Sequence, residues 1–222
     1  MQQFDLTDEQ RQTQDMAQQF TADAITPRAA ESDEKHIFPK ATIQQAAELG
    51  FGSIYVSEES GGIGLGRLDA ALIMEAMAYG CPSTSAFISI HNMASWMIDV
   101  FGSAEQRAAW VPRLTSMELI ASYCLTEPGS GSDAASLKTK AVKDGDDYLI
   151  TGTKQFISGA GTSDVYVLMA RTSDDGAKGV SAFIIEKDTP GLTFGANERK
   201  MGWKSQPTRQ VLLDGVRVPW RR

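Results

Sequence analysis

The chain has 222 residues, of which 42% are hydrophobic and 22% charged, a composition typical of folded globular domains. Its two cysteines and two histidines exclude a disulfide scaffold and lack the spacing of a metal site. The net charge of −7 argues against general nucleic-acid binding.

The first half of the chain has the 3.6-residue periodicity of amphipathic helices. Thr7 and Gln10 form a capping-box pattern for a first helix, and Ser103 begins the same pattern before the last one. His91 lies in a segment that is apolar nearly all round, so we expect a buried helix with a hydrogen-bonded histidine. Residues 51–66 are rich in glycine and are predicted to form a loop. Further helices are predicted at 39–50, 68–79, 84–101 and 103–117.

The second half changes to short apolar runs that are separated by turn residues. No helical pattern lies between the runs, which favours an antiparallel sheet or barrel over βαβ units. Charge is also divided unevenly, since residues 1–120 contain 16 acidic and 7 basic residues, whereas residues 121–222 contain 12 and 14. We therefore predict an α+β fold, with an all-α helical domain at 1–118 followed by an antiparallel β-barrel domain at 119–222. Strands are predicted at 119–125, 148–151, 165–171, 180–186 and 210–218.

Residues Gly129–Ala134 match the G-x-G-x-x-A fingerprint of dinucleotide-binding proteins and follow a strand-like run. That fingerprint requires a helix within a parallel βαβ unit, which here would occupy residues 134–143. The turn at 144–147 and the hairpin-like strands after it do not fit such a unit. An NAD-binding Rossmann fold is therefore kept only as an alternative, which a strand within 134–143 would remove.

Several motifs combine unusual residue types in a fixed order. Thirteen residues, Cys124–Ser136, read CLTEPGSGSDAAS, and Gly152–Gly159 reads GTKQFISG. A third motif, Lys200–Arg209, is followed by the shorter Val216–Pro219, and a fourth, Ser89–Met93, lies in the apolar helix. With these motifs the chain resembles the acyl-CoA dehydrogenase family along its whole length. It is most similar to members that act on short, branched acyl groups.

The resemblance implies an N-terminal helical domain and a middle β-barrel domain, in agreement with the division made above. It also implies FAD as cofactor, an acyl-CoA thioester as substrate and α,β-desaturation as the reaction. Electrons would pass to an electron-transferring flavoprotein, and the parent protein would be a homotetramer. The sequence has no secretory signal and no run apolar enough to span a bilayer. We expect a soluble protein without membrane or nucleic-acid partners, in the cytoplasm, or in the mitochondrial matrix if the sequence is a processed eukaryotic form.

The same resemblance assigns flavin contacts to two segments. It implies that the Leu125 backbone and the Thr126 hydroxyl meet the pyrimidine edge of the flavin. Phe156, where the family often has tryptophan, would pack on the ring, and Ser158, often threonine, would bond near N5, the hydride acceptor. Ser132 would border both the diphosphate and the pantetheine arm, which makes it the predicted substrate contact. The predicted cofactor-binding residues are Tyr123, Cys124, Leu125, Thr126, Gly131, Ser132, Phe156, Ile157 and Ser158.

The catalytic base of the family is a glutamate in a third, C-terminal helical domain. This sequence ends at Arg222, directly after the last predicted strand, so we expect no catalytic residue in the chain. Alone it should be inactive and bind FAD weakly or not at all. Glu127 is the nearest substitute base, but we expect a carboxylate before Pro128 to satisfy backbone N–H groups. Two alternative functions are a non-catalytic flavin- or acyl-CoA-binding module and a flavin monooxygenase of the same fold.

Overall fold

The computed structural model describes residues 5–219, and six α-helices occupy the N-terminal part of this range. Arg222, at which the sequence ends directly after the last predicted strand, lies outside the described residues. Capping boxes are present at Thr7 and Ser103, as predicted. The four later helices lie within two residues of their predicted bounds, and the loop at 51–66 contains one short 3-10 turn. The helices are α1 (Asp8–Phe20), extended by a π-helical turn (Thr21–Ile25), α2 (Thr26–Glu34), α3 (Lys40–Glu48), α4 (Arg67–Gly80), α5 (Pro82–Phe101) and α6 (Ala104–Thr115).

Helix α5 is buried along most of its length and anchors the glycine-rich loop. Asn92 Oδ1 accepts a hydrogen bond from the backbone N of Ile54 at 2.6 Å, and Asn92 Nδ2 donates to the carbonyl of Phe51 at 2.7 Å. Asp99 Oδ2 accepts from the backbone N of Ser57 at 3.0 Å. These bonds satisfy backbone groups that the irregular loop cannot pair within itself. The core around α5 includes Ala17, Ile43, Phe51, Ile73, Met77 and Phe87.

The C-terminal part is one curled sheet with the strand order β1-β4-β2-β3-β7-β6, and β5 pairs with β4. Two strands, β2 and β6, were not predicted from the sequence, and β3 is longer than predicted. A helical domain followed by a curled, mostly antiparallel sheet confirms the predicted fold class. The strands are β1 (Ala121–Cys124), β2 (Lys140–Asp144), β3 (Asp147–Ser158), β4 (Val165–Arg171), β5 (Val180–Glu186), β6 (Leu192–Phe194) and β7 (Thr208–Pro219).

The pairing of β1 with β4 is parallel, and β2 also meets β4 in parallel through one residue pair. A parallel pair needs a long connection, and the segment between β1 and β4 contains the β2–β3 hairpin. Residues Ala134–Ser136 form only a 3-10 turn, and β2 follows at Lys140–Asp144. A strand therefore occupies the place where a Rossmann fold needs its helix, which removes the NAD-binding alternative.

His91 joins α5, α6 and β1. Its Nε2 lies 3.0 Å from the carbonyl of Leu114, which can only accept, so Nε2 carries the hydrogen. Its Nδ1 accepts from the backbone N of Ala121 at 3.0 Å. Complete burial lowers the pKa of His91 to about 4, so the ring is neutral. This is the hydrogen-bonded core histidine that the sequence predicted. Within residues 5–219, no helix is both long and apolar enough to cross a membrane.

Candidate functional site

The structure brings the two predicted flavin-contacting segments side by side. Ser122 Oγ, on β1, donates to the carbonyl of Ser158 at 2.6 Å, where β3 ends. Beyond β1, the carbonyl of Thr126 accepts from the backbone N of Gln155 at 2.7 Å. The stretch after β1 and the end of β3 therefore form one edge, although about thirty residues separate them in the sequence.

A buried ion pair holds this edge together. Lys154 is fully buried on β3, and its Nζ donates to Glu127 Oε1 at 2.8 Å and to the carbonyl of Leu125 at 3.0 Å. The carboxylate of Glu127 also accepts from the backbone N of Lys138 at 2.6 Å and of Thr139 at 2.9 Å. Burial alone would raise the pKa of Glu127, but Lys154 and these N–H groups lower it below its usual value. As predicted, this carboxylate satisfies backbone donors, and both of its oxygens are engaged.

Phe156 is the most conspicuous side chain of the edge. It occupies a bulge, because the register between β3 and β7 shifts between Lys154 and Ile157. Its backbone has φ +58°, in the left-handed region that L-residues with large side chains avoid, and its ring is 62% exposed. Strained backbone that holds an aromatic ring toward solvent is typical of a ligand-binding position.

Ser158 is half-buried, and its hydroxyl accepts a hydrogen bond from Gln206 Nε2 at 2.6 Å. Gln206 itself is buried. It belongs to the third recognised motif, Lys200–Arg209, but nothing in the sequence identified it as a neighbour of Ser158. Only the pairing of β3 with β7 brings the two side chains together.

The loop after Thr126 is open to solvent. Glu127 and Ser130 exchange two backbone hydrogen bonds, which close a tight turn. Gly131 and Ser132 follow this turn and are exposed, and a Cβ added to Gly131 would meet no atom within 4 Å. The loop therefore has room for a ligand beside its backbone.

Three predicted residues face inward or are only half-exposed. Cys124 and Ile157 are buried in the core of the sheet, so they can offer a ligand only their backbone groups. Burial raises the pKa of the Cys124 thiol to about 12, which makes it unreactive. Tyr123 is half-buried and packs against the apolar cluster between α5, α6 and the sheet.

The donor set of this edge fits a flat heteroaromatic ring with a polar margin. The exposed Phe156 ring offers an apolar face, and the half-buried hydroxyl-bearing residues Thr126 and Ser158 lie on the same edge. Flavins combine such an apolar plane with several hydrogen-bonding atoms along their edges. No group of histidine, cysteine or carboxylate side chains suited to a metal occurs among residues 5–219.

Comparisons with known proteins agree with this geometry. The model for the acyl-CoA dehydrogenase N-terminal domain matches residues 7–118, and the model for the middle domain of the same family matches residues 122–216.

The chain is 55% identical over 215 residues to the mitochondrial isobutyryl-CoA dehydrogenase of Dictyostelium discoideum, covering 96% of this chain and 52% of that protein. Against the corresponding protein of Bos taurus it is 53% identical over 214 residues, covering 96% and 51%. Butyryl-CoA dehydrogenase from Megasphaera elsdenii superposes with a TM-score of 0.92 at 32% identity, covering 99% of this chain and 59% of that chain. The chain thus spans about half the length of the curated relatives it matches. It belongs to the acyl-CoA dehydrogenase family.

Proposed function

We propose that this chain is the flavin- and acyl-CoA-binding part of an FAD-dependent dehydrogenase that desaturates isobutyryl-CoA. The observation that carries the proposal is the single edge formed by the stretch after β1 and the bulged end of β3, which contains the exposed Phe156 together with Thr126 and Ser158. The identity of 55% to an isobutyryl-CoA dehydrogenase supports the choice of substrate.

Each residue of the edge has a distinct role in this proposal. The Thr126 hydroxyl and the Leu125 backbone hold the pyrimidine margin of the flavin, and the Phe156 ring packs against its plane. Ser158 donates to the ring nitrogen N5. Gly131 and Ser132 border the diphosphate, and Ser132 also touches the pantetheine arm of the substrate. Bound FAD supplies the acceptor for the hydride that leaves the acyl chain. The half-buried Tyr123 and the buried Cys124 and Ile157 contribute backbone groups and packing.

The catalytic base, in this proposal, is contributed by a region outside residues 1–222. Glu127 is the carboxylate nearest the edge in sequence, and its oxygens are already bound to Lys154, Lys138 and Thr139. The relatives extend over about twice the matched length, which leaves room for a further domain. Electron transfer to an electron-transferring flavoprotein, assembly into a homotetramer and a place in the cytoplasm or mitochondrial matrix belong to the same proposal.

The function is tested by adding FAD and isobutyryl-CoA to the chain without oxygen and recording the flavin absorbance. We expect weak FAD binding or none, and no bleaching, because the proposal places the base outside residues 1–222. Adding the part of the Bos taurus relative that this chain does not match should restore bleaching. Bleaching by the chain alone would place the base within residues 1–222. Failure to bind FAD at millimolar concentration even with that part added would overturn the proposal.

The same assay separates the alternatives. Rapid reoxidation in air with formation of a hydroxylated product would indicate a flavin monooxygenase. Binding of FAD and acyl-CoA without turnover, even with the unmatched part of the Bos taurus relative added, would indicate a non-catalytic binding module.

Replacing Phe156 with glycine should raise the stability of the flavin-free chain and at the same time weaken its affinity for FAD. Glycine adopts φ +58° without strain, so we expect the free energy of unfolding of the flavin-free chain to rise by about 1 kcal/mol. Loss of the ring should weaken FAD binding roughly tenfold. Chemical denaturation and a fluorescence titration with FAD measure the two effects.

His36 provides the control for this backbone effect. It is exposed, lies between α2 and α3, and has φ +55°. His36→Gly should therefore raise stability by a similar amount without changing FAD affinity. Equal losses of FAD affinity in both glycine variants would contradict a direct contact between Phe156 and the flavin.

A further inference from the structure

We propose that Gln206 is a positioning residue that fixes the direction in which the Ser158 hydroxyl donates its hydrogen. The inference rests on the proposed function, since it concerns the hydroxyl assigned to N5 of the flavin. Ser158 is the last residue of β3 and pairs with Thr208, the first residue of β7. Gln206 lies in the segment that leads into β7, and its Nε2 donates to Ser158 Oγ at 2.6 Å.

The backbone of Gln206 is fixed on both sides. Its N–H donates to the carbonyl of Trp203 at 3.2 Å, and its carbonyl accepts from Lys200 Nζ at 2.5 Å. Lys200 Nζ donates in addition to the Thr208 hydroxyl at 2.8 Å. The side chain of Gln206 therefore projects toward Ser158 from a main chain that is held in place.

The amide of Gln206 is oriented by burial. The residue is 3% exposed, and its Oε1 has no hydrogen-bond partner among residues 5–219. If the amide were turned over, the two N–H groups of Nε2 would occupy that unpartnered position. Buried N–H groups without acceptors are rarer in proteins than under-satisfied carbonyl oxygens. The orientation that points Nε2 at Ser158 is therefore favoured.

This orientation determines what Ser158 can offer a ligand. A serine hydroxyl carries one hydrogen and two acceptor sites, and Gln206 uses an acceptor site. The hydrogen of Ser158 is consequently available to an acceptor on the exposed side of the edge. In oxidised flavin N5 is such an acceptor, whereas in reduced flavin N5 carries a hydrogen and donates. A Ser158 held as a donor thus stabilises bound oxidised flavin over bound reduced flavin.

The test compares the affinities of the chain for the two redox forms of FAD. Dissociation constants for oxidised FAD and for dithionite-reduced FAD are measured without oxygen by isothermal titration calorimetry. In Gln206→Met, which keeps the side-chain length but removes the amide, we expect roughly tenfold weaker binding of oxidised FAD and unchanged binding of reduced FAD. Such a change in the ratio corresponds to an upward shift of about 30 mV in the potential of the bound two-electron couple.

Two further variants show whether Gln206 acts through Ser158. In a Ser158→Ala background, Gln206→Met should cause no additional change in the ratio, because the connecting hydroxyl is absent. Gln210 is a matched glutamine on β7 whose Nε2 bonds to Gln155 Oε1 at 2.6 Å, so Gln210→Met should leave the ratio unchanged. Thermal unfolding of each variant verifies that it is folded.

Equal weakening of both redox forms, or no weakening, would overturn the inference, since a merely structural role predicts no change in the ratio. A ratio shifted toward oxidised FAD would also overturn it, because the amide would then present its oxygen to Ser158. The inference fails as well if the shift persists in the Ser158→Ala background. If the wild-type chain alone binds neither form, the constants are measured with the unmatched part of the Bos taurus relative added. If FAD is still not bound, the proposed function fails, and this inference fails with it.

Discussion

Replacing Lys154 with methionine is expected to lower the free energy of unfolding by about 3–5 kcal/mol, as measured by chemical denaturation. The Lys154 side chain is fully buried, and its Nζ contacts Glu127 Oε1 at 2.8 Å. Without this ammonium group, a buried carboxylate loses its counter-charge. The carbonyl of Leu125, which accepts from the same Nζ at 3.0 Å, also loses a donor.

Two companion variants define the origin of this loss. The double variant Lys154→Met/Glu127→Gln should be more stable than Lys154→Met alone, because neither residue then leaves an unpaired charge. Arg217 is a surface control, since it pairs with Asp144 at 2.7 Å and with Asp147 at 2.9 Å while remaining half-exposed. Arg217→Met should change stability far less, because water and salt screen exposed pairs. A loss in Arg217→Met as large as that in Lys154→Met would contradict the argument from burial.

The second large effect is a loss of stability on acidification that originates at His91. Burial lowers the pKa of His91 from 6.5 to about 4, so the unfolded chain binds a proton in this interval that the folded chain does not. Stability contributed by the neutral ring is therefore complete above pH 6.5 and declines as the pH falls toward 4. The contribution amounts to about 3 kcal/mol, from 1.36 kcal/mol for each unit of pKa.

Denaturation curves recorded between pH 4 and pH 7.5 measure this effect. His91→Gln should be less stable than the wild type at pH 7.5 because the bonds to Leu114 and Ala121 are disturbed, and its stability should vary less with pH. The exposed His36 offers the matched control, and His36→Asn should retain the pH profile of the wild type. An unchanged pH profile in His91→Gln would show that other groups cause the acid sensitivity.

The helical part of the fold could be predicted because its signals are local. Capping boxes at Thr7 and Ser103 and the apolar periodicity lie within single helices. The sheet was predicted less completely. Strand β2 reads KAVKD, only Ala141 in it is buried, and Val142 is 61% exposed. Hydrogen bonding to β3 holds this strand in place. Its sequence lacks the alternation of apolar and polar residues by which a strand is recognised.

The candidate site shows the same division between local and long-range information. The sequence motifs identified both segments of the edge. The bulge at Phe156 and the contact between Gln206 and Ser158, however, depend on the register of β3 against β7. Lys154 would ordinarily be expected on a solvated strand face. It is buried because Glu127, twenty-seven residues earlier in the chain, provides a counter-charge within the fold.

The parallel pairing of β1 with β4 has a consequence for the order of folding. Ala121 pairs with Val165, so β1 has no strand partner until the following forty residues have been synthesised and have folded. The hydrogen bonds within each helix, by contrast, join residues about four positions apart, and such local contacts form faster. We infer that the helices are assembled first, with β1 held at its N-terminal end by His91, and that the ligand-facing edge is completed last. Slow or incomplete synthesis of the β-domain would then leave a folded helical bundle that carries an unpaired strand, a species prone to association with other chains.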